Sequence, residues 1–135
     1  MWILAIENPG RVKGVFKQKI PSLKDIKIHD LSIIIGEDME LILKFDINEM
    51  PEEIPPKWHL EKVNSIQFIF NFIGVSFTQM NINRKISNNT TLDIKSCHDG
   101  NKQIRICDNE GDVIMSFLTK WIYVQNITGY HNNIQ

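Results

Sequence analysis

Met39, Leu41, Leu43, Phe45 and Ile47 occupy every second position of one segment, with Glu40, Ile42, Lys44 and Asp46 between them. A repeat of two is the repeat of a strand. Successive side chains point to opposite faces, so alternate apolar residues can bury one face while the other stays wet. Just upstream, His29, Leu31, Ile33 and Ile35 line up in the same way, and Gly36-Glu37-Asp38 reads as the turn between the two runs. The pair predicts a β-hairpin. Asn64–Val75 is different. Ile66, Phe68, Phe70 and Phe72 share one face, but Ile69 and Ile73 make the other face apolar too. That pattern predicts a central strand, and Gly74 permits a bend or bulge at its end.

The rest of the chain keeps the same rhythm. Phe77–Asn83 either continues that strand or pairs back on it, and Asn88-Asn89-Thr90 reads as a turn. Leu92 and Ile94 alternate with Asp93 and Lys95. Asp99-Gly100 and Glu110-Gly111 are turn dipeptides that bracket Ile104 and Ile106. Val113, Met115 and Phe117 follow, then a last strand from Trp121 to Thr128. Short strands with frequent turn signals predict a mainly β fold: an antiparallel β-sandwich or a strongly curved sheet.

Two segments break the rhythm. Val12, Val15 and Phe16 have helical spacing, which predicts one short N-terminal helix near Arg11–Gln18, weakened by Gly14 and closed off by Pro21-Ser22-Leu23. Residues 48–63 form a long connection in which Pro51, Pro55 and Pro56 exclude a regular helix or a central strand over most of the length. Its Trp58 has two readings, an anchor that ties the loop to the sheet or an exposed interface residue.

Composition bounds the organisation. The 135 residues suit a single domain, residues 1–135, and 42% apolar content is enough for a core without disulfides or metals. A net charge of −1 and a pI near 6.4 argue against a general nucleic-acid binder. The apolar start is too short for a secretory signal, and no run is long enough to span a membrane. A cytoplasmic protein is expected. A hairpin turning at Asp99-Gly100 pairs Cys97 with Lys102 and Cys107 with Leu92, too far apart for a disulfide, so two free thiols are expected.

Catalytic signatures are missing. His29, His59, His98 and His131 have no metal-ligand spacing. Cys97 and His98 are adjacent, and in a strand neighbours face opposite ways, which is poor geometry for a nucleophile and its base. Asp108-Asn109-Glu110-Gly111-Asp112 lacks the ligand spacing of a calcium loop and reads as a tight hairpin turn. No phosphate-binding glycine loop, dinucleotide fingerprint or nucleophile elbow occurs. No catalysis, cofactor or metal is expected.

Charge is more informative. Residues 11–27 hold six bases (Arg11, Lys13, Lys17, Lys19, Lys24, Lys27) and one acid, Asp25. Residues 30–53 hold eight acids and one base, Lys44, so half of the chain's 16 acids fall in that stretch. One reading is a solvated strand face and loop, partly neutralised by a basic helix beside it. The other is a negative patch that steers a basic partner and fixes its register.

Several segments together resemble a family. Ile20-Pro21-Ser22-Leu23 precedes a strand, the acidic strand end Phe45-Asp46-Ile47 leads to Pro55-Pro56-Lys57-Trp58, and Asn64 opens the phenylalanine-rich strand. An aromatic strand then closes on Gly129-Tyr130. In these features the chain resembles the immunity protein 50 family of bacterial polymorphic toxin systems, most strongly over residues 41–72. The resemblance implies a small antidote that binds a cognate toxin domain and blocks it without chemistry. Many toxin nuclease domains are basic, which gives the acidic stretch a use. The partner contacts expected from charge are Glu37, Asp38, Glu40, Glu49, Glu52 and Glu53. Two other readings stay open. A carbohydrate- or lipid-binding β module needs exposed aromatics on one face, for which Trp58, Trp121 and Tyr123 are candidates. An enzyme of unrecognised type needs a deep pocket that gathers Cys97, His98 or several carboxylates.

Overall fold

The computed structural model describes residues 1–81 and 89–133. Among the described residues, eight strands form two antiparallel sheets of four. They are β1 (Lys27–Ile34), β2 (Glu40–Ile47), β3 (Ser65–Ile73), β4 (Ser76–Met80), β5 (Thr91–Ser96), β6 (Lys102–Cys107), β7 (Val113–Thr119) and β8 (Trp121–Tyr130). The first sheet runs β1-β2-β3-β8 and the second runs β4-β7-β6-β5. The expected mainly β architecture is what the chain adopts, and β3 lies inside its sheet as its two apolar faces predict.

Two long strand pairs join the sheets. β3 continues through Gly74 and Val75 into β4, and β7 continues through Lys120 into β8. Because β3 pairs with β8 and β4 with β7, one bent ribbon belongs to both sheets. Strands that switch sheets at such a bend are one way to make the corner of a β-sandwich. The corner has specific chemistry. Gly74 takes φ +74°, a conformation that favours glycine. Its N–H and that of Val75 donate to the Met39 carbonyl at 3.1 and 2.9 Å. The fully buried Thr119 hydroxyl donates to the Ile73 carbonyl at 2.9 Å.

The core lies between the sheets. Leu41, Leu43, Phe45 and Ile47 of β2 meet Ile66, Phe68, Phe70 and Phe72 of β3, Ile122 and Val124 of β8, and Ile104, Ile106 and Phe117 of the second sheet. Phe45, Phe68, Phe70, Phe72 and Phe117 are fully buried. Each contributes roughly 1.5–3 kcal/mol by burial, and their rings meet mostly tilted or edge-on. Phe72 and Phe117 join the two sheets with centroids 5.2 Å apart.

The N-terminal segment completes this core. A 3-10 turn at Trp2–Ala5 and a short helix, α1 (Pro9–Lys13), precede β1. The helix begins and ends earlier than Arg11–Gln18, because Pro9 opens it and Gly14 caps it. Val12 and Phe16 are buried as their spacing predicts. Trp2, whose turn has no clear sequence signal, stacks on Phe68 and Phe70 and donates Nε1–H to the Pro21 carbonyl at 2.8 Å. Asn8 closes the free rim of β8: its side chain accepts from the Val124 N–H and donates to the Val124 carbonyl.

Some local expectations need correction. His29 does not share a face with Leu31 and Ile33. The register between β1 and β2 shifts between Ile28 and Asp30, and this bulge turns His29 to the outer face. Ile35 lies beyond β1 and is exposed. The β5–β6 hairpin pairs Ser96 with Lys102 and Thr91 with Cys107, one residue away from the expected register. Asp99 bonds the Asn101 N–H, which lengthens the turn. Both cysteines are free, as expected. The long connection contains a second helix, α2 (Pro56–Leu60), with Pro55 as its N-cap and Pro56 in its first turn. Prolines that forbid a helix interior are tolerated there. Asn88 of the expected turn, and residues 82 and 83 of the expected strand, lie outside the described residues.

Trp58 anchors this connection. Its indole packs on the core over Gly129, where an added Cβ falls 2.7 Å from the ring and 2.9 Å from Val63. Gly129→Ala should therefore displace Trp58 and destabilise the chain by about 1–3 kcal/mol. Gly10→Ala, where an added Cβ inside α1 meets nothing, should leave stability unchanged or raise it by up to about 1 kcal/mol. Urea unfolding midpoints of the two variants check this.

Candidate partner-binding surface

The acids expected to form one patch divide into two groups. β2 runs between them, and its eight residues separate its ends by roughly 25 Å. Glu37 and Asp38 are exposed in the β1–β2 turn, and Glu40 begins β2 on the outer face. Glu49, Glu52 and Glu53 follow the other end of the strand. Glu49 accepts the Ser22 N–H at 3.0 Å. Glu49 and Glu52 line a depression with Lys19, and Glu53 lines one with Lys17. The basic segment therefore stands beside this second group and offsets its charge, whereas it does not reach the turn group.

One face of the first sheet is turned away from the core. Strand register places its side chains in rows. Ile34, Glu40, Ile73 and Trp121 form the row beside the acidic turn. Ser32, Ile42, Asn71 and Tyr123 form the next, followed by Asp30, Lys44, Ile69 and Asn126. Ile34, Trp121 and Tyr123 are 46%, 43% and 40% exposed, high for large apolar side chains in a sheet. Lys120 Nζ lies 5.9 Å from the Trp121 ring centroid, within cation–π range. The Asn71 Oδ1 is buried without a hydrogen-bond partner.

The opposite end of this sheet is tied together by polar bonds. Asp46 Oδ2 accepts from the Tyr130 hydroxyl and lies 2.9 Å from His29 Nε2. Asp46 Oδ1 is buried without a partner. Asn64 donates Nδ2–H to the Asn132 carbonyl and accepts the Asn132 N–H, and its own N–H donates to the Tyr130 carbonyl. One carboxylate thus links β1, β2 and β8. Open clefts of about 490 and 200 Å³ flank it, the first lined by Asp25, Lys27, Asn48 and Asn89, the second by Glu49, Asn64 and Ser65. Burial, reinforced by the bond to Asp46, pushes the Tyr130 hydroxyl up to about 12. At neutral pH it is a donor, and the arrangement is that of a clamp between strands.

The remaining titratable groups lie elsewhere. Cys97 and exposed His98 sit at the β5–β6 turn, and Cys107 is at the far end of that hairpin. Burial raises the Cys107 thiol and so lowers its thiolate fraction. Among the described residues, no group of three or more His, Cys, Asp and Glu converges to hold a metal ion. Asp108 shapes its turn by accepting the Glu110 and Asp112 N–H groups.

The clamp has a measurable consequence. Tyr130 holds its proton more tightly folded than unfolded, so its contribution to stability is complete below pH 10 and is lost as pH rises through about 12. Of the chain's two tyrosines, one should ionise near pH 12 in an absorbance titration of the folded protein. Tyr130→Phe should remove that step and lower stability at pH 7 by about 1–2 kcal/mol. A tyrosinate titration together with denaturant unfolding tests both.

The segments that carry the sequence resemblance meet at this clamped end. Asp46 bonds Tyr130, Trp58 covers Gly129, and Asn64 holds the backbone of Tyr130. A family model described as immunity protein 50 matches residues 8–130. No curated protein and no solved structure matches the chain. The matched region begins at Asn8, which closes the β8 rim, and ends at Tyr130, which closes the clamp. It takes in all eight strands, and the chain belongs to the immunity protein 50 family.

Proposed function

We propose that this chain is an immunity protein that binds a cognate bacterial toxin domain and neutralises it by occupying its surface, without catalysis. The observation that carries this reading is family membership over residues 8–130. The architecture is suited to it. A core of interlocked aromatic rings and a clamped sheet end give a rigid scaffold, and rigid scaffolds lose little freedom on binding. The titratable cluster at Asp46 is bonded as a strand clamp, and Cys97 with His98 lies at an exposed turn. The reading places the protein in the cytoplasm, where a toxin that acts on intracellular targets must be intercepted. A nuclease domain with a basic surface is the partner class that best suits the acidic β1–β2 turn.

A carbohydrate- or lipid-binding module is the second reading, and one observation favours it: Trp121 and Tyr123 share one exposed sheet face. Trp58, its third candidate aromatic, is committed to Gly129.

Co-expression decides the function. Cells producing the toxin domain encoded beside this chain should grow when the chain is present and arrest when it is absent. The two purified proteins should also co-elute as a stable complex. Growth arrest despite abundant folded chain would sink the proposal.

A further inference from the structure

The outer face of β1-β2-β3-β8 has two unlike ends. At the clamped end, Asp46 bonds His29 and Tyr130, and Asn64 bonds the Asn132 backbone. At the other end, Ile34, Ile42, Ile73, Trp121 and Tyr123 form an apolar and aromatic patch across the four strands. Patches with an aromatic centre and a polar rim are typical of protein interfaces, and Trp, Tyr and Arg dominate their energetics.

Charge identifies what would cover it. Glu37, Asp38 and Glu40 border this end of the face. In the third row, Asp30 stands opposite Lys44, so these two offset each other. The base beside the patch is Lys120, already leaning over Trp121. Among the described residues, three acids thus stand against Lys120, while the neighbouring Lys102 is paired with Glu7. The second acidic group, with Lys17 and Lys19 beside it, has no comparable excess. An arginine or lysine side chain laid across these rows would meet the Trp121 and Tyr123 rings.

The three rows at this end, about five residues at ~3.3 Å across four strands at ~4.8 Å, give a plan of roughly 300 Å². The protruding turn and side-chain relief must supply the rest of the ~800 Å² that each partner contributes to a standard interface.

We infer that this face, with Trp121 and Tyr123 along its β8 side and Glu37, Asp38 and Glu40 at the β1–β2 turn, is the docking surface for the toxin. The partner surface it takes is basic, with arginine or lysine side chains directed at the two rings. The inference rests on the toxin-binding reading above and narrows its six charge-assigned contacts to three, adding two aromatic anchors.

The test measures association of the chain with the toxin domain encoded beside it, across a range of salt concentrations. Trp121→Ala and Tyr123→Ala should each weaken affinity by roughly 30-fold or more, mainly through faster dissociation. Reversing Glu37, Asp38 and Glu40 to lysine should slow association by about 10-fold at low salt and flatten its salt dependence. Reversing Glu52 and Glu53 should leave both rates within about threefold. Circular dichroism and unfolding midpoints confirm that each variant is folded. If the unaltered chain fails to bind the toxin, the toxin-binding reading falls and this inference falls with it. If the unaltered chain binds but the two aromatic variants bind equally well, only the surface assignment is overturned. A larger effect from Glu52 and Glu53 than from the turn acids overturns it too. Saturable binding to a glycan array or to anionic phospholipid vesicles, abolished by Trp121→Ala, would give the face to the module reading instead.

Discussion

The bent ribbon that both sheets share constrains everything else in this chain. Strands β3 and β4 are one run interrupted by Gly74-Val75, and β7 and β8 are one run interrupted by Lys120. Their mutual pairing forces the two sheets to meet at a single corner. The corner holds because its polar groups are matched inside the protein, with Thr119 and the Lys120 N–H both bonding the Ile73 carbonyl. Once the corner is set, Phe72 and Phe117 must face each other, and the remaining phenylalanines fill the space behind them. Trp121 and Tyr123 then begin β8 on the outer face, one and three residues past the turning point.

Much of this was legible in the sequence, for identifiable reasons. β2 and β3 are inner strands whose core faces are complete, so burial imposed an unbroken period of two on their residues. β1 is an edge strand, where burial is partial and a bulge costs little, so the shift at His29 left no mark in the hydrophobic pattern. Gly74 announces its half of the corner. Thr119-Lys120-Trp121 does not, because its bend rests on a long-range bond to Ile73 and involves neither glycine nor proline. The same holds for Trp2, whose ring partners are more than sixty positions away.

The candidate site was legible only in part. Charge counted along the chain merged two acidic groups that an extended strand holds apart. It could not show that Lys17 and Lys19 come to rest beside one group and not the other. The i, i+2 spacing of Trp121 and Tyr123 did place both on one face, although which face was open depended on the partner strands. The residues that carry the family resemblance turned out to fasten strand ends together. These residues lie at the end of the sheet opposite the Gly74–Lys120 corner, so both ends are fixed by long-range bonds.

Asn8 has an effect beyond the strand it touches. By bonding both backbone groups of Val124 it gives the first sheet one sealed rim, while the opposite rim, β1, has a bulge and begins with a lysine. A strand arriving from a second molecule finds no continuous ladder at the sealed side and an interrupted one at the other. Both rims of the first sheet are thus less suited to adding a strand than a flat, unbroken edge would be.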